Sequence, residues 1–306
     1  MAGLIGNATP GWGIQLPIQS QSLIFRQDWE PAAGPLQLAA IAKAADQCGA
    51  LYVAVCDHIA IPADKATTMG GIWYDTVATL SWLAAQTKQV HLLSHVLVVP
   101  YRHPLVVAKQ FSTLDLLSGG RAILGVGVGH VEGEFEILGA EFHTRGADLS
   151  RGLEVIRTVF RDGALDGAVV EPKSPRPDGP PIWVGGSSEP ALRRAATLGD
   201  GWLPQGPPDM GMRRAIAFIA ELRDEHELAD PFDVGVVTEP FYIGKAPFEV
   251  AAGTFQGSPQ ECAERLQKYV GLGISQCQVR FAARDADELI NQIDQFGSEV
   301  WPLVVG

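Results

Sequence analysis

An alternation of strand-like and helix-like segments along 306 residues predicts a (β/α)8 TIM barrel. Eight such pairs occur, and the strand-like segments are short and apolar throughout, as is typical of parallel strands buried on both faces. Glycine or polar residues stand where several strands end. A doubly wound open sheet is the alternative, but the first strand runs into Gln15-Leu16-Pro17 instead of a nucleotide-binding glycine motif. We therefore expect a single barrel domain over residues 1–306.

The predicted strands are aliphatic and β-branched runs, in chain order Trp12–Ile18, Leu51–Cys56, Val90–Val99, Ala122–Val126, Pro181–Gly185, Gly201–Pro204, Asp233–Tyr242 and Gln276–Phe281. The predicted helices that alternate with them are Pro35–Cys48, Tyr74–Gln86, Pro104–Ser118, Ala147–Phe160, Glu189–Leu198, Met210–Glu227, Pro259–Gly271 and Ala286–Glu299.

Local signals support several of these boundaries. Asp75 can cap the amino terminus of the second helix. Pro104 can open the third, since proline lacks the N–H that would have no partner there, and Gly119-Gly120 ends it. In the fifth helix, Ser188 is expected as the N-cap, with Pro190 in the first turn.

Four connections are longer than usual, namely Ala60–Trp73, His130–Gly146, Gly163–Pro180 and Gly244–Gly257. The first, second and fourth follow strands, so in a barrel they are insertion loops at the C-terminal face, where active sites lie. The proline-rich third loop follows a helix and is expected to be a surface excursion or short hairpin.

The composition narrows the class of function. A net charge of −12 argues against a general nucleic-acid or membrane-surface binder, which needs clustered Lys and Arg, and leaves a small-molecule substrate as the expected partner. The four cysteines lack metal-like spacing and are expected to be free thiols in a reducing compartment. Neither a signal peptide nor a membrane-spanning run is evident, so we expect a cytoplasmic protein.

Two polar pairs interrupt or follow strands. Asp57-His58 directly follows the second strand, and a histidine beside a carboxylate can act as a general acid or base, although the pair can equally hold the turn. Ser94-His95 lies inside the third strand, which indicates a bulge that brings backbone toward a ligand, or a satisfied core histidine. His91 and His95 lie about 13 Å apart on a strand, too far to share one metal ion, and no metal is expected.

Three further features point to the barrel mouth. Gly127 and Gly129 end the fourth strand and let backbone approach closely. The turn formed by Gly186, Ser187 and Ser188 follows a strand and opens a helix, so its free N–H groups can seat a phosphate; an ordinary capped turn is the alternative. Arg280, near the end of the eighth strand, can hold an anionic group of a substrate or cofactor or form a plain ion pair.

Together these residues resemble the bacterial luciferase-like superfamily, and within it the oxidoreductases that use the deazaflavin coenzyme F420. The resemblance covers nearly the whole chain and rests on Asp57-His58, VLVVPYRHPLVVAKQFSTLDLLSGGRAILGVGVGH (96–130), EFEILG (134–139) and PPIWVGGSSEPALRRAATLGDGWLP (180–204).

The resemblance implies a luciferase-like barrel, usually a homodimer, with the ring of the cofactor in its mouth. It implies a non-prolyl cis peptide between Ser94 and His95 behind that ring, and cofactor contacts from Asp57, Gly127, Gly129 and the loop at 186–188. His58 matches a catalytic or ring-adjacent histidine, and His130, beside the ring, is a second candidate proton donor.

The sequence also departs from the sugar-phosphate dehydrogenase branch of this family. That branch has a glutamate at His130, an asparagine at Gly133 and substrate-binding lysines that have no match here, which argues against glucose 6-phosphate as the substrate. We expect an F420-dependent oxidoreductase. The alternatives are an FMN-dependent monooxygenase, a non-catalytic flavin- or deazaflavin-binding protein and, more distantly, a hydrolase without a cofactor.

Overall fold

The computed structural model describes Leu4 and residues 9–306, and the strands of that part of the chain are as follows. They are β1 (Gly11–Gln15), β2 (Tyr52–Val55), β3 (His91–Ser94), β4 (Leu97–Val98), β5 (Ala122–Gly127), β6 (Ala164–Leu165), β7 (Ala168–Val169), β8 (Ile182–Val184), β9 (Gly201–Trp202), β10 (Asp233–Ile243), β11 (Phe255–Gly257) and β12 (Gln276–Phe281).

The barrel closes through parallel pairing in the order β1, β2, β3, β5, β8, β9, β10 and β12, with β12 returning to β1. The short strand β4 continues the line of β3 and also pairs with β5. The predicted (β/α)8 barrel is therefore confirmed, and the open-sheet alternative is wrong because the first and last strands pair.

Helices connect the strands on the outside of the barrel. They are α1 (Pro35–Gln47), α2 (Ala63–Met69), α3 (Thr76–Ala84), α4 (Pro104–Ser118), α5 (Glu132–Leu138), α6 (Arg145–Asp162), α7 (Glu189–Leu198), α8 (Met212–Glu225), α9 (Pro259–Val270), α10 (Ala286–Gln295) and α11 (Trp301–Val305). The Asp75 carboxylate caps α3 by accepting from the N–H of Ala78, and Gly119 ends α4 in the left-handed conformation, as predicted.

Two hydrophobic cores result from the alternation of side chains along each strand. The larger core fills the space between the barrel and the helices. The smaller one lies inside the barrel and consists of Tyr52, Ala54, Leu93, Ile123, Trp183 and Leu203. Because the barrel interior is packed, ligands can enter only above this layer, at the carboxyl ends of the strands.

The structure corrects two predicted strands. The first is shorter than Trp12–Ile18, because Pro17 follows β1 and Ile18 takes a positive φ of 70°. The third is not continuous over Val90–Val99 but is interrupted between β3 and β4 at His95 and Val96.

The predicted long loops contain ordered elements. The loops after β2 and β5 carry α2 and α5, and β11 in the loop after β10 pairs parallel with the end of β10. The segment after α6 contains the antiparallel hairpin β6–β7, which confirms the hairpin expectation. After α10 a π-helical turn (Phe296–Val300) leads directly into α11. No helix within the described residues is long and apolar enough to cross a bilayer.

Candidate active site

The centre of the candidate site is a hydrogen-bonded pair formed by His58 and Glu134. His58 follows β2, and its Nδ1 lies 2.7 Å from Oε2 of Glu134 on α5. The other carboxylate oxygen of Glu134 accepts from the backbone N–H groups of Ile59 and Ala60, at 2.6 and 3.0 Å. The Tyr101 hydroxyl donates to Oε2 at 3.0 Å. The loop after β2 is thus fastened to α5 through a single buried carboxylate.

These bonds determine the charge state of Glu134 and the orientation of His58. Burial raises the pKa of Glu134, but the hydrogen bonds from His58, Ala60 and Ile59 outweigh burial and lower the pKa below its usual value. A carboxylate only accepts, so Nδ1 of His58 carries a hydrogen and Nε2 of the neutral ring is left as an acceptor. This is the arrangement required of a histidine that takes up or supplies a proton.

Two aromatic neighbours flank the His58 ring. The Trp73 ring lies edge-on with centroids 4.4 Å apart, and the His130 ring lies 5.7 Å away. His130 is exposed at the rim, yet burial of part of its ring lowers its pKa and the nearby His58 lowers it further. The structure therefore brings together the two histidines that the sequence singled out as candidate proton donors.

Asp57, predicted as a cofactor contact, lies in a buried ion pair instead of an open position. Its two carboxylate oxygens each lie 2.7 Å from a guanidinium nitrogen of Arg102. They also accept from the N–H of Val98 and the hydroxyl of Thr76. Since both oxygens have protein partners, the observed geometry favours the alternative in which this residue holds the turn.

The strand interruption differs in position from the expectation. The cis peptide joins His95 to Val96, not Ser94 to His95. Ser94 stays in the strand because it pairs with Val55 and its hydroxyl bonds to both the carbonyl and the N–H of Gly125. The backbone N–H of His95 still donates to the carbonyl of Val55, so the break falls after this residue.

His95 is buried at the top of the barrel interior. Its Nε2 lies 3.3 Å from the carbonyl of Leu203, which can only accept, so Nε2 carries the hydrogen. Its Nδ1 is also buried. Burial lowers the pKa of His95 to about 4 and outweighs the hydrogen bonds with Leu203 and Gln278, which raise it, so the ring is neutral near pH 7.

The glycines at the end of β5 provide room for protein side chains. A Cβ on Gly127 would lie 2.4 Å from Val96 Cγ2, and one on Gly129, whose φ is +77°, would lie 2.8 Å from Val98 Cγ1. Both positions are therefore needed for packing around the interrupted strand, and their predicted contact with a ligand stays a prediction.

The turn at Gly186, Ser187 and Ser188 opens α7 at the carboxyl end of β8. Gly186 has a φ of +97°, the Ser187 hydroxyl donates to the carbonyl of Gly206 at 2.5 Å, and Ser188 is the N-cap, as predicted. The Ser188 side chain forms no capping hydrogen bond and is exposed, so its hydroxyl is available to an anion. In the first turn of α7, Pro190 has no N–H and the N–H of Ala191 donates to the Ser188 carbonyl, so of the first three helical residues only Glu189 can offer a backbone N–H.

Arg280 lies on the opposite side of the mouth, on the inner face of β12. Its Nε is buried and has no protein partner, and the Phe25 ring lies 4.8 Å from the guanidinium carbon. The described residues contain no group of three or more His, Cys, Asp or Glu arranged to hold a metal, and all four cysteines are free.

Sequence reasoning missed Glu134, Tyr101 and Arg102, which hold His58 and Asp57 in place. Only a weak signal for these three residues is present in the sequence. Glu134 is one of three acidic residues in EGEFE, and only its burial separates it from Glu132 and Glu136, which are exposed. Tyr101 and Arg102 occur in the PYRHP motif, which is adjacent to the interrupted strand.

Comparison with known proteins places this chain in a family. Residues 20–252 match the sequence model of the luciferase-like monooxygenases. An uncharacterised protein of Mycobacterium tuberculosis (strain ATCC 25618 / H37Rv) is 32% identical over 217 residues, which cover 65% of this chain and 75% of the relative.

Two further similarities concern named enzymes. The F420-dependent glucose-6-phosphate dehydrogenase of Amycolatopsis mediterranei (strain U-32) is 31% identical over 181 residues, covering 56% of this chain but only 53% of that relative. The structure of the coenzyme F420-dependent tetrahydromethanopterin reductase of Methanopyrus kandleri superposes with a TM-score of 0.72 at 19% identity, covering 96% and 99% of the two chains. At that identity the superposition establishes a shared fold.

Proposed function

The chain belongs to the luciferase-like monooxygenase family and is an oxidoreductase, and on that premise we propose that it transfers a hydride between C5 of coenzyme F420 and a small organic substrate. The His58–Glu134 pair carries the proposal. Hydride addition to a C=C, C=N or C=O bond leaves one atom that must gain a proton, and the reverse reaction must remove one. A histidine held by a buried carboxylate at the barrel mouth suits that task.

The residues around the mouth fit a deazaflavin. The amino terminus of α7 offers the exposed hydroxyl of Ser188 and the backbone N–H of Glu189 to a phosphate, which the helix dipole also favours. His95, buried at the top of the barrel interior with Gln278 beside it, offers a neutral imidazole to a polar edge of the ring system. The 31% identity to an F420-dependent dehydrogenase supports this cofactor over others.

When bound, F420 supplies the two-electron hydride chemistry. The protein's part is to orient and to move a proton. His58, whose Nδ1 hydrogen is held by Glu134, presents Nε2 as the atom that exchanges the proton with the substrate. The Trp73 ring restricts the position of the imidazole, and the His130 ring lies beside it at the rim.

An FMN-dependent monooxygenase is the second candidate, favoured by the family's own description. Fluorescence titrations of the purified protein with F420 and with FMN decide between the two. Our proposal predicts tight binding of F420 and weak binding of FMN; the opposite preference would replace it with an oxygen-using reaction, and binding of neither would remove it.

Two variants test the assigned roles. Ser188→Asp places a carboxylate where we expect the phosphate and should weaken F420 binding about tenfold or more. Thr197→Asp puts the same charge at the other, exposed end of α7 and should leave affinity unchanged. His58→Ala should reduce turnover far more than affinity. A variant with undiminished turnover would indicate that His58 does not transfer the proton.

A further inference from the structure

We propose that Arg280 binds the carboxylate of the substrate, and that the substrate of this enzyme is a small carboxylic acid with an apolar body. The inference rests on the proposed function, because it assigns a substrate class to the same site. Three independent observations about Arg280 support it. The side chain faces the barrel mouth, it has no hydrogen-bond or ion-pair partner among the described residues, and apolar side chains lie around it.

The direction of the side chain follows from the alternation along β12. Cys277, Val279 and Phe281 pack in the core between barrel and helices, so the residues between them face the barrel interior. Gln278 faces that interior and donates to the side chain of Gln15. Arg280 lies one step further toward the carboxyl end of the strand and therefore faces the mouth.

The charge of Arg280 is not balanced by a direct partner. Among the described residues, none forms a hydrogen bond or ion pair with this side chain, and its Nε is buried without a partner. Burial lowers the pKa of Arg280, while Cys56 and Glu30 oppose that effect from a distance. Both carboxylate oxygens of Glu30 already accept backbone N–H groups, from Ile18 and Gln27. A half-buried guanidinium whose Nε has no protein partner gains most from a ligand carboxylate, which matches its planar donors.

The neighbouring loops supply an apolar rim. Leu23, Ile24 and Phe25, in the loop after β1, are 44%, 69% and 66% exposed, and Phe25 covers the guanidinium. Ile59 and Ile72, in the loop after β2, are 47% and 58% exposed. The two loops are joined by the bridge between Ser20 and Trp73 and by the bond from Gln21 N–H to the Ile72 carbonyl. The rim therefore suits an apolar group attached to the carboxylate.

The position of Arg280 separates this site from the expected phosphate site. The turn before α7 follows β8, whereas Arg280 lies on β12, three strands away around the barrel. His58 follows β2, which is two strands from β12 on the other side. A carboxylate at Arg280 thus leaves the apolar part of the molecule between the guanidinium and the His58 ring.

The test compares cinnamate, its neutral amide cinnamamide, and acetate as probes, by calorimetry on the purified protein with and without F420. Cinnamamide keeps the apolar body of cinnamate without its charge, and acetate keeps the carboxylate without the large apolar body. We expect cinnamate to bind at least tenfold more tightly than either other probe. Arg280→Met should abolish the preference for cinnamate over cinnamamide, and Arg280→Lys should retain part of it. Arg284→Met is the control, since Arg284 is exposed and already paired with Glu288.

The outcomes show whether Arg280 binds a substrate carboxylate or the cofactor, and they test this inference separately from the proposed function. Equal binding of cinnamate and cinnamamide, or a preference that survives Arg280→Met, would overturn the inference. A tenfold loss of F420 affinity in Arg280→Met, with the cinnamate preference intact, would assign Arg280 to the cofactor and also overturn it. If F420 fails to bind while the preference depends on Arg280, the carboxylate site stands and the cofactor proposal fails.

Discussion

Nδ1 of His58 lies 2.7 Å from Oε2 of Glu134, although the two residues are separated by 76 positions in the chain. This contact forms only because the loops after β2 and β5, two strands apart in the barrel, fold against each other above the barrel core. The Glu134 side chain is fully buried, and His58 is only 10% exposed. Such a pair fixes the ring orientation of the histidine before a substrate arrives.

The first prediction concerns Glu134→Gln. We expect kcat to fall about 100-fold, because the neutral amide no longer fixes the Nδ1 hydrogen of His58. Affinity for F420 should change less than about threefold, a difference of under about 0.7 kcal/mol. Nitrogen NMR of the histidine ring, which reports the tautomer independently of turnover, should show that the preference for hydrogen on Nδ1 is lost.

Glu132→Gln is the matched control, since it removes the same charge from the same helix at a side chain that is 54% exposed and faces His143. Its kcat and its His58 tautomer should equal those of the wild type. Equal kinetic losses in both variants would contradict the role given to the His58–Glu134 pair.

The second prediction concerns the buried ion pair of Asp57 and Arg102, whose side chains are 1% and 12% exposed. Arg102→Gln leaves the Asp57 carboxylate buried without its cation and should lower the free energy of unfolding by about 3–5 kcal/mol in urea denaturation. Arg193→Gln breaks an exposed pair with Glu189 and should cost less than about 1 kcal/mol. Similar losses of unfolding free energy in the two variants would show that the buried pair stabilises the protein no more than an exposed pair does.

Elements set by local signals could be predicted from the sequence, and contacts between distant segments could not. The helix α7 has its predicted bounds, Glu189–Leu198, and Pro190 in its first turn favours that start. The interruption of the third strand was expected one residue too early, at Ser94-His95, because its exact position depends on space for Val96 that two distant glycines, Gly127 and Gly185, leave open. Glu134 escaped for a related reason, since neighbouring acidic residues look equivalent until the fold buries one of them.

The third prediction tests that packing. Gly127→Ala places a Cβ 2.4 Å from Val96 Cγ2 in a fully buried strand and should lower the free energy of unfolding by about 1–3 kcal/mol. Adding Val96→Ala removes the clashing methyl groups, so the double variant should lose less than the sum of the single ones. Gly71→Ala is the control, because no atom lies within 4 Å of its added Cβ. Strict additivity of the two substitutions would refute the steric explanation.

The last prediction concerns acid stability and follows from two histidines, of which His95 is buried and His91 is half-buried. Burial lowers the pKa of His91 and of His95 to about 4, from an ordinary value near 6.5. Between these values the unfolded chain binds more protons than the folded one, so stability rises with pH across the window and is lost as pH falls from about 6.5 toward 4. Each histidine contributes up to about 3 kcal/mol to that loss.

His91→Asn removes one of these two groups and leaves the site intact, since His91 lies at the start of β3 with its Nδ1 3.0 Å from the carbonyl of Leu51. In urea denaturation at several pH values, the free energy of unfolding of this variant should depend less steeply on pH between pH 4 and 6.5 than that of the wild type. The two slopes should differ by at most about 1.4 kcal/mol per pH unit. His226→Asn replaces an exposed histidine and should leave the slope unchanged. A slope in His91→Asn as steep as that of the wild type would mean that His91 titrates normally in the folded protein, and the loss of stability in acid would then have to arise from other groups, with His95 the first to test.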